Sequence, residues 1–316
     1  MGTIKRREFI AGLAAAGASV PVLALSNSAI ETQFEKTKVC VFSKHLQWLD
    51  YPGMAATAAE IGFDGVALTV RPNGHVLPER VEEDLPRAVE AVNNAGLKVY
   101  TMTTAINDPD DDHTERILKT ASGLGIEYYR MGGMRYDDNI SMEKNLDAHK
   151  VVFRELAEMN KTYKIHGAYQ NHSGARVGGP VWDIWYLLRG LDATWIGCQY
   201  DIKHATHEGG SCWPLGFKLL YKYVKFTAIK DFKWVQEDGK WLARHVPLTE
   251  GMVDFPAYFK LVKKYAVAGP ISMHFEYPLG GAEHGERQLS IDRKEVISAM
   301  RRDLDILKAW LKEYVS

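Results

Sequence analysis

From Lys38 to the C-terminus, short apolar runs alternate with longer amphipathic stretches about eight times. A helix after every strand carries the chain back to the start of the next strand, so such an alternation calls for a parallel sheet. At this count the natural form is a closed single (β/α)8 TIM barrel, an α/β fold. The expected strands are Lys38–Ser43, Val66–Val70, Leu97–Thr103, Glu127–Met131, Ile165–Gln170, Trp195–Asp201, Val224–Lys230 and Pro270–Glu276. They read as continuous apolar runs rather than alternating ones, which suits strands covered on both faces. Between them, helices are expected over Pro52–Ile61, Glu79–Ala95, His113–Leu124, Glu143–Tyr163, Pro180–Arg189, Trp213–Tyr221 and Phe255–Tyr265, with Leu289–Tyr314 closing the chain. Pro52 is placed for a first helical turn, and Gly96, Gly125 and Gly190 are placed as helix stops. The competing architecture, an open doubly wound sheet, wants a glycine-rich phosphate turn after its first strand. Ser43-Lys44-His45-Leu46-Gln47 stands there instead. One insertion is expected, a hairpin over Trp234–Arg244 turning at Glu237-Asp238-Gly239-Lys240.

The first residues are of another kind. Paired arginines in Lys5-Arg6-Arg7-Glu8-Phe9-Ile10 precede a weakly apolar, Ala/Gly-rich run from Ala11 to Leu25. That pattern is a twin-arginine export signal over residues 1–29, with small residues at Ala24 and Ala29 for cleavage. It predicts a periplasmic protein with no stable membrane span after cleavage, the run being short and rich in small residues. The barrel is expected over residues 37–316.

A formal net charge of −1 provides no electrostatic reason for nucleic acid as a partner. Cys40, Cys198 and Cys212 contain no CxxC pair, so cysteine-bound zinc is not expected. The sequence leaves a homo-oligomer open.

In a barrel of this kind the site is built at the carboxyl ends of the strands. Collecting those positions yields a polar ring: Ser43 and His45, Arg71 and His75, Thr103 to Asn107, Arg130, Gln170 and His172, Asp201 and His204, Lys230 and Asp231, then His274 and Glu276. Strand ends are polar in any protein, but the density of imidazole on one rim exceeds what solvation asks for. Asp201 ends an apolar run, with His204 and His207 following at three-residue steps; it is either a ligand or the cap of the next turn. His274 and Glu276 alternate with Met273, Phe275 and Tyr277, so a strand would point both to one side. Lys230-Asp231 reads either as site residues or as an internal ion pair locking the seventh strand to its loop. Arg130 could hold a substrate group or pair with a neighbouring carboxylate. The Pro278–Gly285 loop lacks the Lys-Ser/Thr of a phosphate cradle, and no G-x-S-x-G elbow is present for serine catalysis.

The stretches Phe42–Leu49, Ile61–Val66, Arg71–Val76, Tyr169–Gly174, Asp201–His204, Ile229–Asp231 and His274–Gly281 carry a resemblance. On them the chain resembles the xylose isomerase-like TIM-barrel superfamily, often labelled sugar phosphate isomerase/epimerase, in an exported bacterial branch. The resemblance implies an enzyme acting on a small carbohydrate by proton abstraction next to a carbonyl, an isomerase or epimerase. A keto-glycoside lyase or hydratase shares the same opening step. A carbohydrate-binding barrel that has lost its catalytic metal is the reading from another class. The family's epimerases hold one divalent metal (Mn, Zn, Co or Mg) with Glu, Asp, His and Glu from four strands, and the two glutamates move the proton. Here the first Glu falls at Gln170, the Asp at Asp201 with His204 after it, the His at Ala228, and the last Glu at His274 or Glu276. A rearranged metal set of Gln170, Asp201, His274 and Glu276 is therefore expected. His204, His274, Glu276 and His172 would carry the chemistry, with histidine-led acid–base work, and His45, Arg71, His75, Arg130 and Lys230 would contact substrate.

Overall fold

A computed structural model describes residues 37–315; the export signal expected over residues 1–29 lies outside them. The described chain forms a closed barrel of parallel strands in the order β1-β10-β7-β6-β5-β4-β3-β2. The strands are β1 (Val39–Phe42), β2 (Gly65–Val70), β3 (Lys98–Thr104), β4 (Tyr128–Arg130), β5 (His166–Gln170), β6 (Ile196–Asp201), β7 (Val224–Ile229) and β10 (Ile271–Met273). An antiparallel hairpin of β8 (Asp231–Glu237) and β9 (Lys240–Val246) interrupts the alternation after β7. It is longer than the sequence suggests, because pairing runs on to Asp231↔Val246 at the barrel rim. Among the described residues no helix is long and apolar enough to cross a membrane.

The outer layer follows chain order: α1 (Tyr51–Ile61), α2 (Val81–Asn94), α3 (Thr114–Gly123), α4 (Met142–Tyr163), α5 (Val181–Leu188), α6 (Ile202–Gly209), α7 (Trp213–Leu220), α8 (Phe255–Lys264) and α9 (Arg293–Trp310). Local chemistry sets several ends. Asp50 caps α1 by accepting the Gly53 N–H at 2.9 Å, with proline in the first turn behind it. Ser141 and Asp254 cap α4 and α8 in the same way.

Along β1 the side chains divide by parity. Val39 and Val41 join the large apolar cluster between sheet and helices, whereas Cys40 and Phe42 pack with Ala67 in a separate small cluster. The second cluster is the barrel's interior, and Phe42 is its top. Above Phe42 the interior becomes polar. That change positions the site.

Three expectations about the seventh and eighth strands need correction. β7 ends at Ile229, so Lys230 lies just past the sheet. Lys230 does not pair with Asp231, whose carboxylate accepts the backbone N–H groups of Phe232, Gly251 and Val253 and so anchors the loop after the hairpin. β10 ends at Met273; the His274 N–H still reaches the Ile229 carbonyl at 3.0 Å, but beyond it the chain leaves the sheet. Strand parity therefore does not apply as far as Glu276. The two side chains still meet, with His274 Nδ1 at 3.7 Å from Glu276 Oε1, because the chain turns over the barrel mouth.

Candidate active site

Asp201 is the centre of the polar cluster and is fully buried. It performs both roles that its position allows. Oδ1 accepts the His204 N–H at 3.1 Å and caps α6, while Oδ2 faces the barrel axis. Asn171 braces it from the next strand, accepting the Asp201 N–H at 2.8 Å and donating to its carbonyl at 2.9 Å. Oδ2 receives the Gln170 amide N–H at 2.8 Å and the Lys230 ammonium at 3.2 Å. Lys230, only 3% exposed, also reaches Glu276 Oε2 at 3.1 Å. Burial works against its charge, but the Asp201 and Glu276 carboxylates overcome that and hold its pKa above the ordinary lysine value. Burial alone would raise the pKa of Glu276. Lys230, the His274 ring and Lys44 at 3.4 Å outweigh it and hold the carboxyl well below its usual range. His245 from the hairpin adds a ring nitrogen at 3.3 Å from Glu276 Oε2.

A cavity of about 290 Å³ opens above this cluster, lined by Phe42, Lys44, Arg71, Arg130, Met131, Gly132, Gly133, Tyr169, Gln170, His172, Arg176 and Glu276. It continues into a groove of about 540 Å³ that shares Lys44, Arg71, Arg130, Gly132 and Gly133. Gly132 keeps the wall thin: a Cβ there would lie 2.3 Å from the Ala105 carbonyl oxygen.

The structure separates the predicted histidines. His172 lines the cavity. Its Nδ1 lies 2.9 Å from the Ser173 carbonyl, an acceptor only, so Nδ1 carries the proton and Nε2 presents a lone pair. Its ring packs on His204 at 4.0 Å between centroids, and burial lowers its pKa to about 4. His204 lies behind it, with Nδ1 at 2.8 Å from Ser173 Oγ and Nε2 at 3.6 Å from Asp201 Oδ2; burial holds it neutral. His274 stacks on Phe42 at 4.4 Å, and burial brings its pKa to about 4. His45 and His75 do not line the cavity. His45 Nε2 accepts the Phe275 N–H at 3.0 Å and its Nδ1 donates to the Ala282 carbonyl at 3.1 Å, tying the loop after β10 to the turn after β1. His75 lies against Ser43 Oγ at 3.1 Å. Arg71 and Arg130 do face the cavity, whereas Lys230 sits beneath it.

Two charged residues that line the cavity, Lys44 and Arg176, escaped the sequence reading, as did His245, which reaches Glu276. Lys44 is adjacent to His45 in a short 3-10 turn, Ser43–Leu46, and only the turn's rotation decides which side chain enters the mouth. Arg176 is on the loop after β5, and His245 is on the inserted hairpin, which carries no strand-end signal.

The residues do not fit the divalent metal that the resemblance implies. Lys230 Nζ stands between the Asp201 and Glu276 carboxylates, where a shared cation would be held. Gln170 turns its amide nitrogen, a donor, toward Asp201, and its oxygen is taken by Arg130 Nη1 at 2.9 Å. The fourth position is Ala228. Among the described residues no group of three or more His, Cys, Asp or Glu converges as a metal site.

A parallel barrel with an ionisable cluster and a small polar cavity at the carboxyl ends of its strands belongs to the architecture on which many small-molecule enzymes are built. Residues 55–304 match the family model of the xylose isomerase-like TIM barrel, and the chain belongs to that family. Among solved structures it is similar to a xylose isomerase-like TIM barrel protein from Mycobacterium smegmatis in complex with magnesium (TM-score 0.64, 13% identity, covering 86% of this chain and 99% of that one). It is also similar to 3-keto-D-glucoside 4-epimerase from E. coli (0.62, 14%, 87% and 100%). A third similar structure is the probable 3-DHS dehydratase from Bacillus anthracis (0.64, 12%, 86% and 98%). At these identities the likeness is one of fold. No curated protein matches the chain in sequence.

Proposed function

We propose that this protein is an enzyme acting on a small sugar or keto-sugar by removing a proton next to a carbonyl, in the manner of an isomerase or epimerase. The observation that carries this reading is the pairing, in one cavity, of a neutral imidazole with a fixed cation beside a carboxylate. His172 presents an unprotonated Nε2, and Lys44 stands 3.4 Å from Glu276. A base near the C–H and a positive charge near the carbonyl oxygen are what enolisation requires.

In this reading His172 Nε2 takes the proton from the carbon beside the carbonyl, and the Lys44 ammonium stabilises the oxygen as it becomes negative. Glu276, kept ionised by Lys230, orients Lys44 and a substrate hydroxyl. Return of the proton to the neighbouring carbon, with the hydroxyl proton of the enediolate passing to the other oxygen, completes an isomerisation. Protonation of the first carbon by solvent from the opposite face gives an epimerisation, His172 then releasing the proton it took. Expulsion of a group from the next carbon would make the same site a lyase. The metal-assisted form of this chemistry would require Lys230 and Gln170 to rearrange, so the cation is assigned here to the chain's own ammonium groups. The twin-arginine pattern supports an exported protein, which fractionation of cells before and after Arg6-Arg7→Lys-Lys would test.

The test is solvent exchange. Keto-sugars are incubated in deuterated buffer with the protein, and loss of the C–H signal next to the carbonyl is followed by NMR. Exchange that disappears in His172→Gln supports the reading. If no ketose or keto-glycoside exchanges while several bind, the barrel is a carbohydrate-binding protein and the enzymatic reading fails.

A further inference from the structure

The guanidinium groups of Arg71 and Arg130 line the cavity and form no ion pair within the described residues, the Glu276 charge acting on both only from beyond ion-pair distance. Arg130, at the end of β4, is half-buried, and the one hydrogen-bond partner of its guanidinium among the described residues is the uncharged Gln170 amide oxygen. Arg71, just past β2, makes no side-chain hydrogen bond or ion pair within the described residues. Each guanidinium carbon lies 5.7 Å from the centroid of the Phe42 ring, so one aromatic ring carries both cations. They act on one another: burial first, and then the charge of Arg71, brings the Arg130 pKa down to about 10.

The carboxylate lining the cavity does not neutralise them. Glu276 is already engaged by Lys230, Lys44 and His245, and Asp201 by Lys230 and Gln170. Buried charges are ordinarily paired, because an unpaired one forfeits its hydration with nothing in return. The whole chain carries a formal charge of −1, so the positive cavity is a local feature and not a reflection of a basic protein. A neutral sugar would leave both guanidinium groups uncompensated in the bound state. The single charge developed on reaction is met by Lys44.

We infer that Arg71 and Arg130 form a subsite for an acidic group, and that the substrate of this site is an anionic sugar, such as a keto-aldonate or a uronate. This rests on the sugar-processing reading above and specifies its substrate class. Two planar guanidinium groups suit the paired oxygens of a carboxylate, and a phosphate presents the same chemistry.

Binding is measured by calorimetry with glucose, gluconate, glucuronate and glucose 6-phosphate as probes, on the parent protein, Arg71→Gln and Arg130→Gln. The expected result is that an acidic sugar binds roughly tenfold or more tighter than glucose, the scale of one charge-assisted contact. Arg71→Gln should weaken binding of the acidic sugar by roughly tenfold or more and so remove its preference over glucose, read as the ratio of the two affinities in each protein. A preference for glucose 6-phosphate over both carboxylates would keep the anion subsite and assign it to phosphate. The inference is overturned if glucose binds as tightly as the acids, if no acid binds, or if the preference survives in both variants. Failure here is distinguishable from failure of the enzymatic reading: a neutral ketose that exchanges its proton without any acid preference removes the subsite alone. An acid that binds without C–H exchange removes the reaction alone.

Discussion

Lys230→Met tests whether a lysine ammonium is the cation that holds the centre of this barrel together. The substitution keeps an unbranched side chain one atom shorter and removes a charge that touches Asp201 at 3.2 Å and Glu276 at 3.1 Å. Breaking a buried ion pair by removing one partner costs about 3–5 kcal/mol, because the remaining charge is left in a medium that solvates it poorly. The lower end, about 3 kcal/mol, applies here. Asp201 keeps the Gln170 and His204 N–H donors, and Glu276 keeps Lys44 and is 20% exposed. For a domain of this size that corresponds to a fall in Tm of roughly 6–12 °C at neutral pH, read by calorimetry. The pH dependence has a definite sign. The pKa of Glu276 is depressed in the parent, so its stabilisation is present above the unfolded carboxylate value of about 4.3 and is lost as pH falls through the depressed value. The variant lacks most of that support, so the gap between the two proteins is widest near neutrality and narrows in acid. A divalent cation supplies a further arm. In the variant two carboxylates lose their shared partner, while His204 Nε2 stands 3.6 Å from Asp201, and His245 Nε2 and His274 Nδ1 stand 3.3 and 3.7 Å from Glu276. Added Mn²⁺ or Zn²⁺ should therefore raise the Tm of the variant and leave that of the parent unchanged. The reasoning is refuted if the variant is as stable as the parent at neutral pH. It is equally refuted if the parent takes up one equivalent of metal in a manner that Asp201→Asn abolishes.

His172→Gln should reduce C–H exchange by about 10²–10⁴-fold with substrate affinity little changed, since a positioned base contributes on that scale. Because burial lowers the His172 pKa to about 4, exchange by the parent should stay level from neutrality down to pH values just above it and fall as the imidazole protonates. Gln170→Glu places a carboxylate oxygen where an amide nitrogen now lies 2.8 Å from Asp201 Oδ2. The Arg130 guanidinium, 2.9 Å from the amide oxygen, would pair with the new carboxylate and offset part of its repulsion with Asp201, so the variant should lose no more than about 1 kcal/mol at neutral pH, in urea titrations at several pH values. Asp50→Ala removes the cap on α1 and should cost about 1 kcal/mol by urea unfolding without altering C–H exchange.

The barrel was legible in the chain because its signals are local. Apolar runs of strand length, amphipathic stretches of helix length and stops such as Gly96, Gly125 and Gly190 recur in a fixed order, and a parallel closed sheet is the arrangement that this order permits. Strand ends identify rim positions for the same reason. Asp201, Gln170, Arg130 and Arg71 all lie at the mouth, as a sequence reader would place them. What those positions do depends on which side chains meet across the barrel, and residues 46 apart in the chain (Lys230 and Glu276) or 232 apart (Lys44 and Glu276) make the decisive contacts there. Lys230 could pair with its neighbour Asp231; the tertiary structure sends it instead to Asp201 and Glu276, while Asp231 anchors a loop. His45 and Lys44 are adjacent, yet one is a buried tie between two loops and the other lines the cavity, because a single 3-10 turn rotates them apart. Secondary structure follows from periodicity within a segment. The partner of a buried charge is set by the closure of the sheet, which brings together ends that no spacing along the chain relates.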